Sequence, residues 1–317
     1  MFTRRTLGVA MPTMGFAIAA FVCSQPASAV TFTPRVSGGY QDYALEFQDV
    51  TTPNPQGGIS FRDGFRVSDR LGFLGAGLNI SSKRIFVDLS AQRSARGTTH
   101  TTQFQGNGNF DVPGTTSVGH IHSLDSTFRR DELNATLGWG VTSEFSLYAG
   151  FKHAKLDMQN ALLPLVDPPP QFGELFFFGT RAIDFHYNGP FLGATYAVPV
   201  GSWGALSIQS SVAFLDGGFK EHFNGLEFLA DPSFPTGLRP IDTSDINGNL
   251  HGRARGLNLG VSWTGSFGGM LHDLSYTVGL DRSEYTFKTS ESTTGDFTET
   301  NTRLRLDLRY RFSQERD

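Results

Sequence analysis

The last segment of the chain alternates apolar and charged side chains with a period of two. In residues 303–312 the apolar positions are Leu304, Leu306, Leu308, Tyr310 and Phe312, and the charged positions are Arg303, Arg305, Asp307, Arg309 and Arg311. Because successive side chains of a strand point to opposite faces, this segment predicts a strand with one apolar and one charged face. The pattern recurs along the chain, and it is typical of a membrane barrel, whose strands meet lipid on one side and line an interior on the other.

The first 29 residues predict a secretory signal peptide. Arg4 and Arg5 precede the mostly apolar residues 7–22, and residues 27–29 read Ala-Ser-Ala, the small-x-small form of a cleavage site. We therefore expect a mature chain of residues 30–317, and no composition shift divides it into more than one domain.

Composition excludes several classes of site and partner. Cys23 is the only cysteine and lies within the predicted signal peptide, so the mature chain offers no disulfide and no thiol nucleophile. The full chain carries a formal net charge of −4, which argues against nucleic acid as a partner. After residue 29 no apolar run reaches the roughly 18 residues of a membrane helix. A closed barrel is the other structure that satisfies its backbone in lipid.

The alternating segments predict about ten strands, joined in turn by short and long connections. The short turns are residues 81–83, 142–144, 200–203 and 265–269, and the longer loops are residues 49–66, 95–126, 157–180 and 217–251. Bacterial barrels combine an even strand number with short periplasmic turns and long extracellular loops. The sequence therefore predicts an all-β, closed antiparallel transmembrane barrel with both chain ends in the periplasm.

The apolar parity of the first segment changes part-way. Val36 and Tyr40 share one parity, whereas Tyr43 and Leu45 have the other. If apolar side chains always face lipid, this change predicts a β-bulge near Gln41.

The same reasoning applies to residues 183–198. It places Ile183, Phe185 and Tyr187 on the lipid face and turns Asp184 and His186 into the interior. A reset of the register is then expected at Pro190, since proline cannot donate to a strand ladder.

The predicted inner faces carry charges of both signs in near balance. These candidate residues are Arg35, Asp88, Arg130, Glu132, Lys152, Asp184, His186, Asp273, Asp281, Arg305, Asp307, Arg309 and Arg311. Buried charges require partners, so we expect a lumen charge network. Inward glycines alternate with bulky residues such as Tyr148 and Phe191, as a narrow barrel requires. Two interpretations stay open: a salt-bridged plug of side chains, or a narrow polar conduit for small solutes.

With its signal peptide, its amphipathic hairpins and the aromatic Phe312 in its last strand, the chain resembles the bacterial (Gram-negative) outer-membrane β-barrel proteins. The resemblance implies a location in the cell outer membrane, contact with its lipid and lipopolysaccharide, and assembly by the barrel-assembly machinery through the strand that ends at Phe312. It implies a structural protein or a narrow porin-like pore. The alternative is a surface-exposed binding or adhesion protein that acts through its long loops.

An enzymatic alternative is an omptin-like protease, since omptins are ten-stranded outer-membrane barrels. Their site combines an acid pair with an Asp-x-His arrangement on the opposite wall. This chain offers Asp184-Phe185-His186 but contains no Asp-x-Asp sequence. We therefore expect no catalytic site. We also expect no metal site and no cofactor.

Overall fold

The computed structural model describes residues 30–48, 64–105, 120–165, 175–268, 271, 273–289 and 296–313. The predicted signal peptide lies outside these residues. So do residues 49–63, 106–119 and 166–174, which belong to three of the four predicted loops.

The described residues form strands almost throughout. In chain order they are β1 Thr31–Gln48, β2 Gly64–Ser82, β3 Ile85–Ser94, β4 Gly97–Gln105, β5 His120–Gly140, β6 Phe145–Leu165, β7 Leu175–Pro199, β8 Ala205–Ala230, β9 Leu238–Ser266, β10 Leu274–Thr289, β11 Phe297–Tyr310 and β12 Phe312–Ser313. A 3-10 turn over Gly201–Trp203 connects β7 to β8. No helix in this part of the chain is long and apolar enough to cross a membrane.

The strands close into a barrel. Along the closed path consecutive strands pair antiparallel, and β1 also pairs with β11, which closes the sheet. β4 lies off this path and pairs with β5 alone. Two wall positions are each built from two strands: β3 and β4 follow one another along β5, and β12 continues β11 along β1. The described part of the chain is thus a closed antiparallel barrel of 10 strands, which confirms the predicted fold class.

An apolar band surrounds the lower part of the wall, next to the short turns. Large apolar side chains point outward there and stay exposed, with Leu74 at 73%, Leu137 at 58% and Ile208 at 58%. Exposed aromatic rings border the band on the short-turn side, at Trp139, Tyr196, Trp203, Tyr310 and Phe312, and on the far side, at Tyr40, Phe151 and Phe214. A continuous exposed apolar belt with aromatic borders is the lipid-facing surface of a membrane barrel.

Several strands continue far beyond this band. β8 has 26 residues and β9 has 29, whereas about 9–11 tilted residues cross a bilayer. The predicted loop 217–251 is wrong in this respect, because it is a strand hairpin that turns only at residues 231–237. Strands likewise enter the predicted loops 157–180 and 95–126. These predicted loops are polar in composition. Strands above the lipid can be polar, because their backbones need only a neighbouring strand for hydrogen bonding and their outer side chains meet no lipid.

The register contradicts both predicted breaks in parity. β1 pairs without interruption with β2 and β11, so no bulge occurs at Gln41, and Tyr43 and Leu45 point inward at 1% exposure. β7 keeps its register with β8 on both sides of Pro190. The physical reason is that the wall's environment changes above the band: the outer face meets water and polar groups, while the interior becomes a dry core. Apolar side chains therefore change sides without a bulge.

Candidate functional site

A buried charge cluster lies across the barrel interior at the upper edge of the band. The guanidinium of Arg130 donates to three groups: Glu132 Oε2 at 2.6 Å, Glu299 Oε1 at 2.8 Å and the hydroxyl of Tyr187 at 2.7 Å. Arg130 and Glu132 lie two positions apart on β5, so strand geometry turns both inward. These four residues join three separate walls, β5, β7 and β11, and each of them is 2% exposed or less.

Glu132 is the anionic centre of this cluster. Its Oε1 accepts from Lys152 Nζ at 3.0 Å, Arg303 Nη1 at 3.2 Å and Asn134 Nδ2 at 2.9 Å. A carboxylate shielded from water is tolerated only when partners of this kind replace its hydration. Every cation of the cluster contacts a carboxylate. The pairs of Arg130 with Glu299 and of Arg303 with Glu132 connect β5 to β11 across the interior.

A second charged layer lies nearer the short turns. Arg35 forms a bidentate pair with Asp88, with 2.7 Å between Nη2 and Oδ1. Asp307 lies between Arg309, whose Nη2 is 3.1 Å from Oδ2, and Arg305, whose Nε is 3.3 Å from Oδ1. Arg305 also approaches Asp281 at 3.7 Å, and Gln209 donates to Asp281 at 2.7 Å. Charges of opposite sign are therefore interleaved through the lower interior as well.

Aromatic rings fill the interior above the charge cluster. Phe287 and Phe297 stack with their ring centroids 4.7 Å apart, and Phe185 stands edge-on to both at 5.2 Å. Tyr187 packs against Phe287 at 5.4 Å and links this group to the charges through its hydroxyl. The buried apolar members of this cluster are Tyr43, Leu45, Val67, Leu71, Phe128, Ala154, Leu156, Met158, Ile183, Phe185, Tyr187, Ala213, Leu215, Ala254, Tyr285, Phe287 and Phe297.

Glycines on the inner wall make room for these rings. A Cβ at Gly256 would collide with the ring of Tyr285, and one at Gly138 would collide with the ring of Phe86. Each of these rings thus lies over a glycine that is its pairing partner on the adjacent strand, which is how a narrow barrel finds room for large inward side chains.

The structure places nine of the thirteen predicted network residues on the inner wall and joins them in ion pairs. These are Arg35, Asp88, Arg130, Glu132, Lys152, Asp281, Arg305, Asp307 and Arg309. Asp273 lies in the turn before β10, and its carbonyl accepts from the amide of Arg311 at 2.9 Å. Both residues are thus at the short-turn rim rather than inside the network.

The predicted inward positions of Asp184 and His186 are wrong. Both point away from the interior: their side chains are 42% and 35% exposed, while the intervening Phe185 is 1% exposed. Asp184 pairs with Lys155 at 3.0 Å on the outer wall, and His186 Nδ1 lies 3.6 Å from Asp184 Oδ1. The prediction failed because it assigned the apolar Phe185 to lipid at a height where the apolar side is the interior.

Sequence reasoning missed Glu299, Tyr187 and Arg303 as members of the central cluster. Glu299 falls in a Ser/Thr-rich stretch that precedes the alternating segment 303–312, and the alternation around Tyr187 predicts a lipid-facing ring. The parity of β11 contains the missing signal, because counting back in twos from Arg303 reaches Asn301, Glu299 and Phe297, all of them buried.

The outer wall above the band carries a collar of paired charges. Arg93 binds Asp131 in a bidentate pair at 2.8 Å, Arg70 contacts Asp42 at 2.8 Å, and Lys155 contacts Asp157 at 2.7 Å. Among the described residues, no group of three His, Cys, Asp or Glu side chains is arranged to hold a metal ion.

This is the architecture of an outer-membrane β-barrel. No protein-family model matches the sequence, and no curated protein matches it either. Among solved structures, the barrel is similar to the outer membrane protease OmpT from Escherichia coli, with a TM-score of 0.48, 9% identity, and coverage of 89% of this chain and 97% of that one.

Two further solved barrels are similar at lower scores. The translocator domain of the autotransporter NalP from Neisseria meningitidis has a TM-score of 0.35 at 7% identity, with 92% of each chain covered. The attachment invasion locus protein Ail of Yersinia pestis has a TM-score of 0.32 at 9% identity, covering 90% of this chain and all of that one. Similarities of this size transfer no activity to the present chain.

Proposed function

We propose that this protein is a non-enzymatic structural barrel of the outer membrane whose lumen does not conduct. The observation that carries the proposal is the filled interior, in which an aromatic cluster lies directly above a buried charge cluster. An ion that entered from the extracellular side would meet Phe185, Phe287 and Phe297, which are at most 1% exposed. Beyond them it would meet charges that are already paired with one another.

Barrel size supports a closed lumen over a porin-like pore. About eight strands leave an interior that side chains fill, and about sixteen leave an aqueous channel. Ten strands fall near the filled end, and the inward glycines here are matched by rings rather than by empty space.

The absence of an enzymatic role is part of the proposal. In an omptin-like arrangement the Asp-x-His residues would face an acid pair across the barrel. Here Asp184 and His186 point to the outside, and their charged neighbour is Lys155. Asp184 lies on the convex outer wall and is paired with Lys155. No second wall of the described barrel faces it there, so it cannot share a water with an acid on the opposite side.

We place the short turns in the periplasm and the tall strand hairpins outside the cell. Assembly would then use the strand that ends at Phe312, which is 54% exposed at the short-turn rim. A cysteine introduced at Pro235, in the turn between β8 and β9, should react with a membrane-impermeant maleimide on intact cells. A cysteine at Ser143 should react only after the outer membrane is opened, and the reverse result would invert the topology.

Surface binding is the second candidate, and the β8–β9 hairpin is the observation that favours it. The hairpin continues well past the band and exposes Leu226 and Phe234 near its tip, at 48% and 39%. Shortening it by residues 224–244 would remove such a surface while leaving the membrane band intact.

Conductance tests the proposed function. The mature protein, refolded into planar bilayers and checked for insertion by its heat-dependent gel mobility, should give no stable conductance steps. The double variant Phe287→Ala, Glu299→Ala serves as the matched positive control, because it removes one member from each layer and should admit ions. Stable ohmic channels in the unmodified protein would overturn the proposal.

A further inference from the structure

A group of outward-facing cations on β9 and β10 differs from the rest of the collar. Arg253 and Arg255 on β9, and Arg282 and Lys288 on β10, all point outward and are exposed. On their own strands they lie just beyond the last outward apolar residues of the band, Leu257 and Leu280, on the side away from the short turns. The group, which we term the β9–β10 patch, therefore begins where the lipid-facing surface ends.

The cations of this patch lack the acidic partners that their counterparts have. Elsewhere on the outer wall, Arg70, Arg93 and Lys155 each contact a carboxylate within 3 Å. Among the described residues Arg129 has a longer contact of 3.9 Å with Asp157, and Lys220 on β8 has no ion pair. Within the described residues, Arg253, Arg255 and Lys288 form no ion pair. Arg282 has a loose contact of 3.6 Å with Glu284.

The acids nearest to the patch do not neutralise it. Asp216 lies opposite Arg253 in the register of β8 and β9, but the pair is not within ion-pair distance. With Glu284, and with the exposed Asp296, which lies one position beyond the pair of Phe287 and Phe297 and so beside Lys288, three carboxylates face four cations. The patch therefore keeps a small excess of positive charge.

The register also sets two like charges side by side. Arg253 lies directly opposite Lys288 in the antiparallel pairing of β9 and β10, and such Cβ atoms are about 4.5–5.5 Å apart. Like charges directly opposite one another destabilise a sheet. An anion that contacts both side chains would reverse this penalty.

Hydroxyl groups extend the polar surface next to these cations. Arg255 is opposite Thr286, whose hydroxyl lies 3.2 Å from that of Thr298 on β11. Cations beside hydroxyl donors are suited to phosphate oxygens, which accept charge-assisted hydrogen bonds from several directions.

We propose that the β9–β10 patch binds the phosphate groups of an anionic, phosphorylated outer-leaflet glycolipid. The position favours a lipid over a free anion, because acyl chains can pack on Leu257, Leu259 and Leu280 while the phosphates reach the cations above. The inference rests on the membrane placement and orientation proposed above. It identifies one side of the barrel, rather than the whole collar, as the binding surface.

The test compares two variants in the full mature chain. The patch variant is Arg253→Gln, Arg255→Gln, Lys288→Gln, and the matched control is Arg70→Gln, Arg93→Gln, Lys155→Gln, which removes three paired cations at the same border. All these side chains point outward, so both variants should keep the heat-dependent gel mobility of the folded barrel. Each protein is mixed with micelles that contain diphosphorylated lipid A or its dephosphorylated form, and bound lipid is counted by native mass spectrometry.

The unmodified protein and the control should both prefer the diphosphorylated lipid, and the patch variant should lose this preference by about tenfold or more, since cations near an anionic lipid surface act roughly additively. Equal preference in patch variant and control would overturn the proposal, as would equal binding of dephosphorylated lipid by the unmodified protein. Inorganic phosphate at millimolar concentration should not displace the lipid, and full displacement would indicate a free-anion site instead.

A measurement on the unmodified protein keeps the proposal testable if the variants do not fold. Its lipid preference should fall as salt rises from 0.05 to 0.5 M (roughly 14 to 4 Å of screening length), because the contact is electrostatic and exposed. A preference insensitive to salt would contradict the proposal. The conductance result is independent of both outcomes, so failure of the patch and failure of the closed lumen are distinguishable.

Discussion

Arg130 and Glu299 are 169 positions apart in the chain, yet Arg130 Nε donates to Glu299 Oε1 at 2.8 Å across the barrel interior. Their strands, β5 and β11, are not neighbours in the sheet, because β1, β2 and β3 lie between them. The contact therefore constrains the cross-section of the barrel rather than the pairing of two strands.

Removing Glu299 should destabilise the barrel. Glu299→Ala leaves Arg130 without one of its two carboxylates in a site closed to water, and breaking a buried pair in this way typically costs about 3–5 kcal/mol. The measurement is the urea unfolding midpoint in lipid vesicles. Glu144→Gln, in a short turn, is the control and should leave the midpoint nearly unchanged, whereas equal midpoints for all three proteins would show that water screens the cluster.

The aromatic cluster predicts a contrast between neighbours on β10. Phe287 is 0% exposed and stacks on Phe297, so Phe287→Ala should cost about 3–5 kcal/mol through lost burial and the cavity left behind. Lys288 points to the opposite side, and Lys288→Ala should change the unfolding free energy by less than about 0.5 kcal/mol. A similar loss in both variants would contradict the assignment of faces.

Within the band, the face on which a residue lies decides how much free energy it costs to introduce a charged side chain there. Leu137 faces lipid and is 58% exposed, so Leu137→Arg should cost about 2–4 kcal/mol near the bilayer midplane. Thr136, one position earlier, faces the interior, and Thr136→Arg should show no dependence on bilayer thickness. Unfolding in bilayers of different acyl chain length separates the two effects, and the same thickness dependence at both positions would refute the alternation.

Above the band, the apolar side chains face the interior, so a charge is costly on the inner face instead of the outer one. Phe185→Asp would place an unpaired carboxylate among Phe287 and Phe297, so we expect a loss of about 4 kcal/mol or more, or failure to fold. His186→Gln changes an outward side chain on the same strand and should be nearly neutral. If His186→Gln were the damaging change, the original assignment of Asp184 and His186 to the interior would be restored.

The turn between β8 and β9 should respond to acid. Hydrogen bonds from the Ser233 hydroxyl at 2.6 Å and the Ser233 amide at 3.0 Å hold the pKa of Asp231 below its ordinary value of 3.8. Since the folded pKa is the lower one, this contribution to stability is present above pH 3.8 and is lost as the pH falls through the folded pKa. Ser233→Ala should raise the pKa of Asp231 and move the loss to higher pH. Hydrogen exchange at the amide of Gly237 reports the opening, and no difference between the two proteins would contradict the pairing.

Local pattern was enough to predict the membrane segments. In residues such as 133–139 and 304–310, strand geometry places every second side chain on one face, and lipid requires that face to be apolar. The local sequence is therefore enough to decide which face is outside, without any distant contact. The even strand number followed from counting these segments. The inward positions of Arg130, Glu132 and Lys152 followed from the same parity.

Tertiary structure decided what happens above the lipid. The sequence around Phe185 alternates just as it does within the band, and the alternation does not say whether its apolar face meets lipid outside or a dry core inside. The answer depends on the height of the band on neighbouring strands and on rings that arrive from β10 and β11. The partners of Arg130 likewise exist only after β1 pairs with β11, because closure of the barrel brings Glu299 across the interior. Sequence alternation therefore determined the two faces of each strand, and only the closed wall determined what each face contacts.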